Sequence, residues 1–320
     1  MAAVFGLVLP FFGMIFLGFA VARITRQPIE ALGWMNTFVI YVALPALFFQ
    51  LLSKTPIEKL TETGYIASAV LATYVIFTVM FAGSYLWNAG EIRESTIKGL
   101  AAAYGNIGYM GPGLALLAFG EEAAVPVALI FCFENILHFA VAPTMMAIAG
   151  SAQGGVGRLA LSVVRKIALH PFIIATAIGV AAAALALRPP APLETLLDYL
   201  SRAAAPCALF AMGVTLALRP LKRMPSEIGI IAALKLVVHP ALCYVILSAV
   251  GNFDPVWVYS AVLLAALPTA TNVFVIGQQY GVWVERASAT ILVTTVLSVA
   301  SVTALLYAIT SGLLPPDLFP

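Results

Sequence analysis

Ten apolar blocks of about 20 residues each run through this chain, at 4–22, 33–52, 65–86, 97–119, 124–149, 168–187, 194–217, 228–250, 257–279 and 287–310. A bilayer core holds no water, so a segment that crosses it must satisfy its own backbone polar groups. The blocks lack the short alternation of barrel strands, and helices are what remains. Charged residues make up 9% of the 320, against about 25% in a soluble domain. No connection between blocks can hold a soluble domain; the longest is the basic, Gly-rich SAQGGVGRLALSVVRK that begins at Ser151. The expected fold is an all-α membrane protein of ten transmembrane helices. Cys132, Cys207 and Cys243 all lie inside blocks and read as small packing residues. The first block has no basic residue ahead of it, which predicts a retained span rather than a cleaved leader.

Basic residues set the expected orientation. The connections after blocks 1, 3, 5, 7 and 9 carry Arg23, Arg26, Arg93, Lys98, Arg158, Arg165, Lys166, Arg219, Lys222, Arg223 and Arg286. The opposite side carries only Lys54, Lys59, Arg188 and Arg202. The positive-inside rule then predicts both termini outside and the 151–167 linker in the cytoplasm.

The halves at 1–150 and 168–320 echo each other. Block two reads YVALPALFF and block seven RAAAPCALF, with Pro45 and Pro206 in mid-span. Block four reads YGNIGYMGPGLALLAFG and block nine LPTATNVFVIGQQYG. Both are interrupted by Gly or Pro, hold one Asn (Asn106, Asn272) and end in aromatic-Gly. Five spans per half is an odd number, so the second half is expected to run inverted. Inverted repeats with interrupted helices in matching places point to a transporter's binding site.

GNIGYMGPGLALLAFGEE (105–122), FVIYVALPALFF (38–49), PCALFAMGVTLA (206–217), LKLVVHP (234–240) and LPTATNVFVIGQQYG together resemble the auxin efflux carrier family in its bacterial form. The order is right and nearly the whole chain is covered; the segment Asn106-Ile-Gly108-Tyr109-Met-Gly111 is the most specific piece. One departure is Gly111-Pro112-Gly113, where the family usually has Leu-Pro or Ile-Pro and then an aliphatic residue. The resemblance implies a fold like that of bile-acid symporters and sodium/proton antiporters, with spans four and nine crossing as broken helices. Spans 1, 2, 6 and 7 would form a scaffold, and 3–5 with 8–10 a moving core. It also implies alternating-access transport of a small organic anion such as malonate, in a bacterial inner membrane.

The candidate substrate-binding residues gather at the breaks: Asn106, Gly108, Tyr109 and Pro112 in block four, Pro268, Thr271 and Asn272 in block nine. Proline removes a donor and clashes with the preceding turn. A broken helix exposes N–H groups and a positive dipole end, which suit an anion, and Asn adds two donors. The competing expectation is that each Asn only caps its half-helix. Glu134 and His138 in block five lie four residues apart on one face, and Lys235 with His239 repeats that spacing in block eight. These four read as a core ion pair or a proton-coupling group, with Glu134 and Lys235 meeting directly or through His138 or a water.

No ATP-binding loop, H-E-x-x-H or G-x-S-x-G motif is present, so no catalytic residue, cofactor, metal or nucleic acid is expected. The expected partners are the anion, the bilayer and, as an open option, a second copy in a homodimer. The rival readings are a sodium-coupled symporter of the same fold and a non-transporting sensor.

Overall fold

The structure, a computed structural model, describes residues 2–56, 62–151, 161, 163–165, 167–218, 224 and 226–319. Lys59, Arg158, Lys166, Arg219, Lys222 and Arg223, and most of the 151–167 linker, lie outside the described residues. Among the described residues every regular element is a helix: α1 (Ala2–Thr25), α2 (Ile29–Ser53), α3 (Thr63–Trp87), α4 (Ile92–Ala103), α5 (Gly111–Phe119), α6 (Ala124–Met146), α7 (Pro171–Ala184), α8 (Ala191–Leu218), α9 (Ile228–Val250), α10 (Pro255–Ala266), α11 (Thr271–Tyr280) and α12 (Val284–Thr310). Among the described residues six helices are long and apolar enough to cross a membrane: α2, α3, the 121–150 helix that contains α6, α8, α9 and α12. Blocks four and nine are each divided, into α4 and α5 and into α10 and α11.

Proline acts differently in different helices. Pro45 and Pro240 each follow a π-helical turn, Val39–Ala43 and Leu234–Val238. A proline cannot donate to the carbonyl four residues back, and a wider turn relieves that mismatch without ending the helix. Pro206 sits inside α8 with no break. The two divided blocks both end on a positive-φ glycine, Gly120 after α5 at 76° and Gly281 after α11 at 66°, of which only Gly281 is left-handed helical; glycine enters such conformations without a Cβ clash.

By its contacts the chain forms two compact units, and each draws on both halves of the sequence. The first comprises 1–63, 108–132 and 168–219, the second 64–107, 133–167 and 220–320. The boundaries fall after Ile107, in the first break, and after Cys132, inside α6.

In the first unit α1 packs on α8 through glycine. A Cβ on Gly213 would run into the Ile15 carbonyl, and one on Gly18 into the Phe210 carbonyl. Small residues let backbones approach in this way where lipid supplies no hydrophobic drive between helices. Gly113 meets α8 as well: a Cβ there would stand 2.6 Å from Cβ of Ala205. The departure at Gly111-Pro112-Gly113 therefore has a packing reason. Phe48 stacks on Phe131 at 4.5 Å, and Phe131 meets Phe172 edge-on at 4.5 Å.

The second unit buries Ile76, Phe77 and Met80 of α3 against Ile97 and Leu100 of α4, with Ile231, Val273 and Ala287 in the same core. Gly99 of α4 lies under the Phe77 ring, 2.9 Å from where its Cβ would be.

The glycine contact yields a test. Gly213→Ala should lower stability by about 1–3 kcal/mol, the range for overpacking. Gly13→Ala, where nothing lies within 4 Å, should be neutral or stabilising because Ala is the better helix former. Thermal unfolding in detergent compares them; equal midpoints would refute the close approach of α1 and α8.

Candidate functional site

The site begins with a backbone problem. α4 stops at Ala103 and α10 at Ala266, after which Tyr104 and Leu267 turn extended. Extended chain between half-helices leaves N–H and C=O groups without a ladder, at a cost of several kcal/mol each in hydrocarbon. Here the two breaks pair with each other. The Asn106 N–H donates to the Pro268 carbonyl at 2.8 Å and the Ala270 N–H to the Tyr104 carbonyl at 2.9 Å. Gly105 and Thr269 form an antiparallel bridge between them. Threonine hydroxyls extend the repair: Thr269 Oγ1 donates to the Ala101 carbonyl at 2.7 Å, and the Thr269 N–H donates to Thr294 Oγ1 at 3.2 Å.

Tyr104 makes this pairing a polar centre. Its hydroxyl accepts from Asn272 Nδ2 at 2.8 Å and donates to Asn135 Oδ1. Its ring stacks on His138 with centroids 3.9 Å apart. His138 Nδ1 lies 3.2 Å from the Tyr74 hydroxyl, while its Nε2 is buried with no hydrogen-bond partner among the described residues. A neutral imidazole that accepts at Nδ1 from Tyr74 carries its proton on Nε2. In that tautomer the Nε2 N–H faces a ligand as a donor; in the other, Nδ1 donates to Tyr74 and Nε2 is an acceptor.

The charged residues form a second chain in the same unit. Thr73 Oγ1 donates to Glu134 Oε1 at 2.6 Å and lies 3.0 Å from His239 Nε2. His239 Nδ1 lies 3.0 Å from Lys235 Nζ. Donor roles fix the direction: Lys235 is donor only, so His239 accepts at Nδ1 and donates from Nε2 to Thr73, whose one proton goes to Glu134. Glu134 and Lys235 are thus connected through Thr73 and His239, and His138, one of the intermediaries expected from sequence, meets Tyr104 and Tyr74 instead. The reason is geometric: Glu134 and His138 share one face of α6 but sit a full turn apart and meet different residues of α3.

The structure unites Asn106, Pro268, Thr271, Asn272, Glu134, His138, Lys235 and His239 in the second unit. Gly108, Tyr109 and Pro112 belong to the first; Gly108 faces the Phe131 ring there, and Pro112 opens α5. Neither Asn occupies a capping position. Ala270 precedes α11 and Met110 precedes α5, with no side-chain cap at either. Asn106 is 2% exposed. Sequence reasoning missed Tyr104, Asn135, Thr73, Thr269 and Thr294. Asn135, a polar residue beside Glu134 in an apolar block, was the one legible signal among them; the threonines looked like ordinary helix residues.

A salt-bridge cluster anchors the half-helix that leads into the first break. Lys98, buried on α4, meets Glu94 and Glu227 at 2.7 Å each, and Arg286 reaches Glu94 at 3.5 Å. Burial alone would raise the Glu227 carboxyl, but hydrogen bonds from Lys98, its own backbone and Ser226 outweigh it and hold the group below the usual range.

A lipid-embedded helical chain with paired helix breaks and a buried polar centre has the architecture of a membrane transporter. The sequence matches the family model described as "Membrane transport protein" over residues 3–306. The chain belongs to that family, the auxin efflux carriers, and is an integral membrane protein. It is 64% identical, over the whole length of both chains, to a Rhizobium meliloti (strain 1021) protein named "Putative malonate transporter". It is 25% identical over 277 residues to an uncharacterized transporter of Methanothermobacter thermautotrophicus, covering 83% of this chain and 85% of that one. An uncharacterized transporter of Escherichia coli K12 shares 22% over 291 residues, covering 90% and 92%.

Two outcomes follow. Tyr104→Phe strands the Asn272 and Asn135 amides and should cost about 1–3 kcal/mol in thermal unfolding; an unchanged midpoint would remove Tyr104 from the centre of the network. A carboxyl depressed by folding stabilises fully above its unfolded value, near 4.3, and loses that contribution as pH falls through its lower folded value. Unfolding midpoints should therefore drop below about pH 4, with a shallower drop in Glu227→Gln. The same slope in both proteins would show that Glu227 does not titrate with folding.

Proposed function

We propose that this chain carries a small carboxylate anion, malonate foremost, across the bacterial inner membrane by alternating access. The site is assigned to the paired breaks of the second unit. Ten spans in two inverted halves, both termini outside, spans 1, 2, 6 and 7 as scaffold and 3–5 with 8–10 as moving core complete the reading. The single observation that carries it is the set of neutral polar groups gathered where two interrupted helices meet, beside Tyr104: the buried Asn106, the half-buried Asn272 and His138 Nε2, which has no hydrogen-bond partner among the described residues.

The chemistry suits an anion. The first turn of α11 leaves N–H groups outside the helical ladder and presents a positive dipole end. Amide and imidazole donors add hydrogen bonds without placing an unpaired cation in the site when it is empty. Such bonds to a charged ligand are worth about 1.5–3 kcal/mol each, so two or three hold a dicarboxylate without an arginine. Family membership supports transport, and the name of the 64% identical relative supports malonate.

The test is malonate binding to purified protein and uptake into proteoliposomes. Asn106→Ala and Asn272→Ala should each weaken malonate binding by about 1–3 kcal/mol, that is, roughly 5- to 150-fold, while remaining monodisperse. Unchanged affinity in both would place the site elsewhere, and no uptake of malonate by the unmodified protein would remove it as substrate.

A further inference from the structure

The second break has a carbonyl surplus that the pairing of breaks does not absorb. α10 ends at Ala266. Leu264 would ordinarily accept from residue 268, but Pro268 has no N–H, and its carbonyl takes the Leu267 N–H at 3.3 Å instead. Ala265 would accept from residue 269, yet the Thr269 N–H goes to Thr294. The Ala265 carbonyl is met by the ammonium of Lys235. That side chain is 0% exposed, and its Nζ also bonds His239 at 3.0 Å. It stands 3.3 Å from where a Cβ on Gly105 would be, a point itself 3.1 Å from the Leu264 carbonyl. A positive charge thus lies at the negative end of a half-helix, against carbonyl oxygen and beside both breaks. The side-chain chain through His239 and Thr73 ends at the carboxylate of Glu134.

Backbone carbonyls at a helix end with a carboxylate nearby are what a small monovalent cation seeks in a protein. We propose that Lys235 is a built-in cation that fills this place, so that the breaks keep their geometry without a free sodium ion. The proposal deepens the transport reading and rests on it only for its consequence, that no free cation accompanies the anion through this site. Gly105 belongs to the same design: any side chain there would crowd the ammonium.

The experiment needs no anion. Thermal unfolding of purified protein is compared in sodium chloride and choline chloride at equal concentration. The unmodified protein should unfold at the same midpoint in both. Lys235→Met removes the ammonium while leaving the carbonyls and Glu134, and its midpoint should rise by roughly 2–6 °C in sodium chloride over choline chloride, because an ion that binds only the folded state stabilises it. Lys235→Arg keeps a cation and should show no such rise. If Lys235→Met is not recovered monodisperse in either salt, Lys235→Gln takes its place with the same expectation. A sodium-stabilised unmodified protein, or a neutral variant indifferent to sodium, overturns the proposal. Failure of malonate uptake would defeat the substrate reading and leave this comparison to judge Lys235.

Discussion

A helix that stops inside a membrane must find partners for the backbone groups it releases, and here two stopped helices supply them to each other. Two N–H···O=C bonds, which together make the Gly105–Thr269 bridge, join Tyr104–Asn106 to Pro268–Ala270. In water such a contact would be worth little, because solvent competes for each bond. In hydrocarbon the alternative is an unsatisfied group, which makes the pairing close to obligatory. The threonine hydroxyls at 269 and 294 and the ammonium of Lys235 answer the groups left over. The polar centre around Tyr104 exists because the breaks have already brought its members within reach.

Charge is handled with the same economy. Glu134 and Lys235 are both buried, and removing one partner of such a pair leaves an uncompensated charge. Their link runs through neutral groups, Thr73 and His239, with Thr73 Oγ1 both donating and accepting and both His239 ring nitrogens engaged. The exposed-to-buried cluster of Lys98, Glu94, Glu227 and Arg286 does comparable work in the first two turns of α4, fixing the half-helix that delivers Tyr104 and Asn106. The first unit relies on a different device, glycine contacts that bring α1 and α8 to backbone distance.

Much of this was legible in one dimension. Apolar block length determined a helical membrane chain, since water's absence leaves a spanning segment few choices. Proline chemistry marked the second interruption at Pro268, whereas Pro112 lies in the first turn of α5, beyond a break that begins at Tyr104; the isolated polar residues in apolar blocks marked Asn106, Glu134, Asn272 and Lys235. Proline did not, however, reveal its effect: Pro45 and Pro240 widen a turn, Pro206 passes unbroken, and only tertiary partners decide which outcome a given proline meets.

The partners of each polar group were decided by tertiary structure alone. Helical periodicity places Glu134 and His138 on one face, but it does not say that Thr73 faces the first and Tyr74 the second. Tyr104 reads as one aromatic among many until the pairing of breaks sets its hydroxyl between Asn272 and Asn135. Gly113 reads as a departure until Ala205 lies against it. Local sequence governs where a backbone can stay helical, because that depends on residues within a turn. Which donor meets which acceptor depends on chain segments as much as 192 residues apart, and no local pattern carries that information.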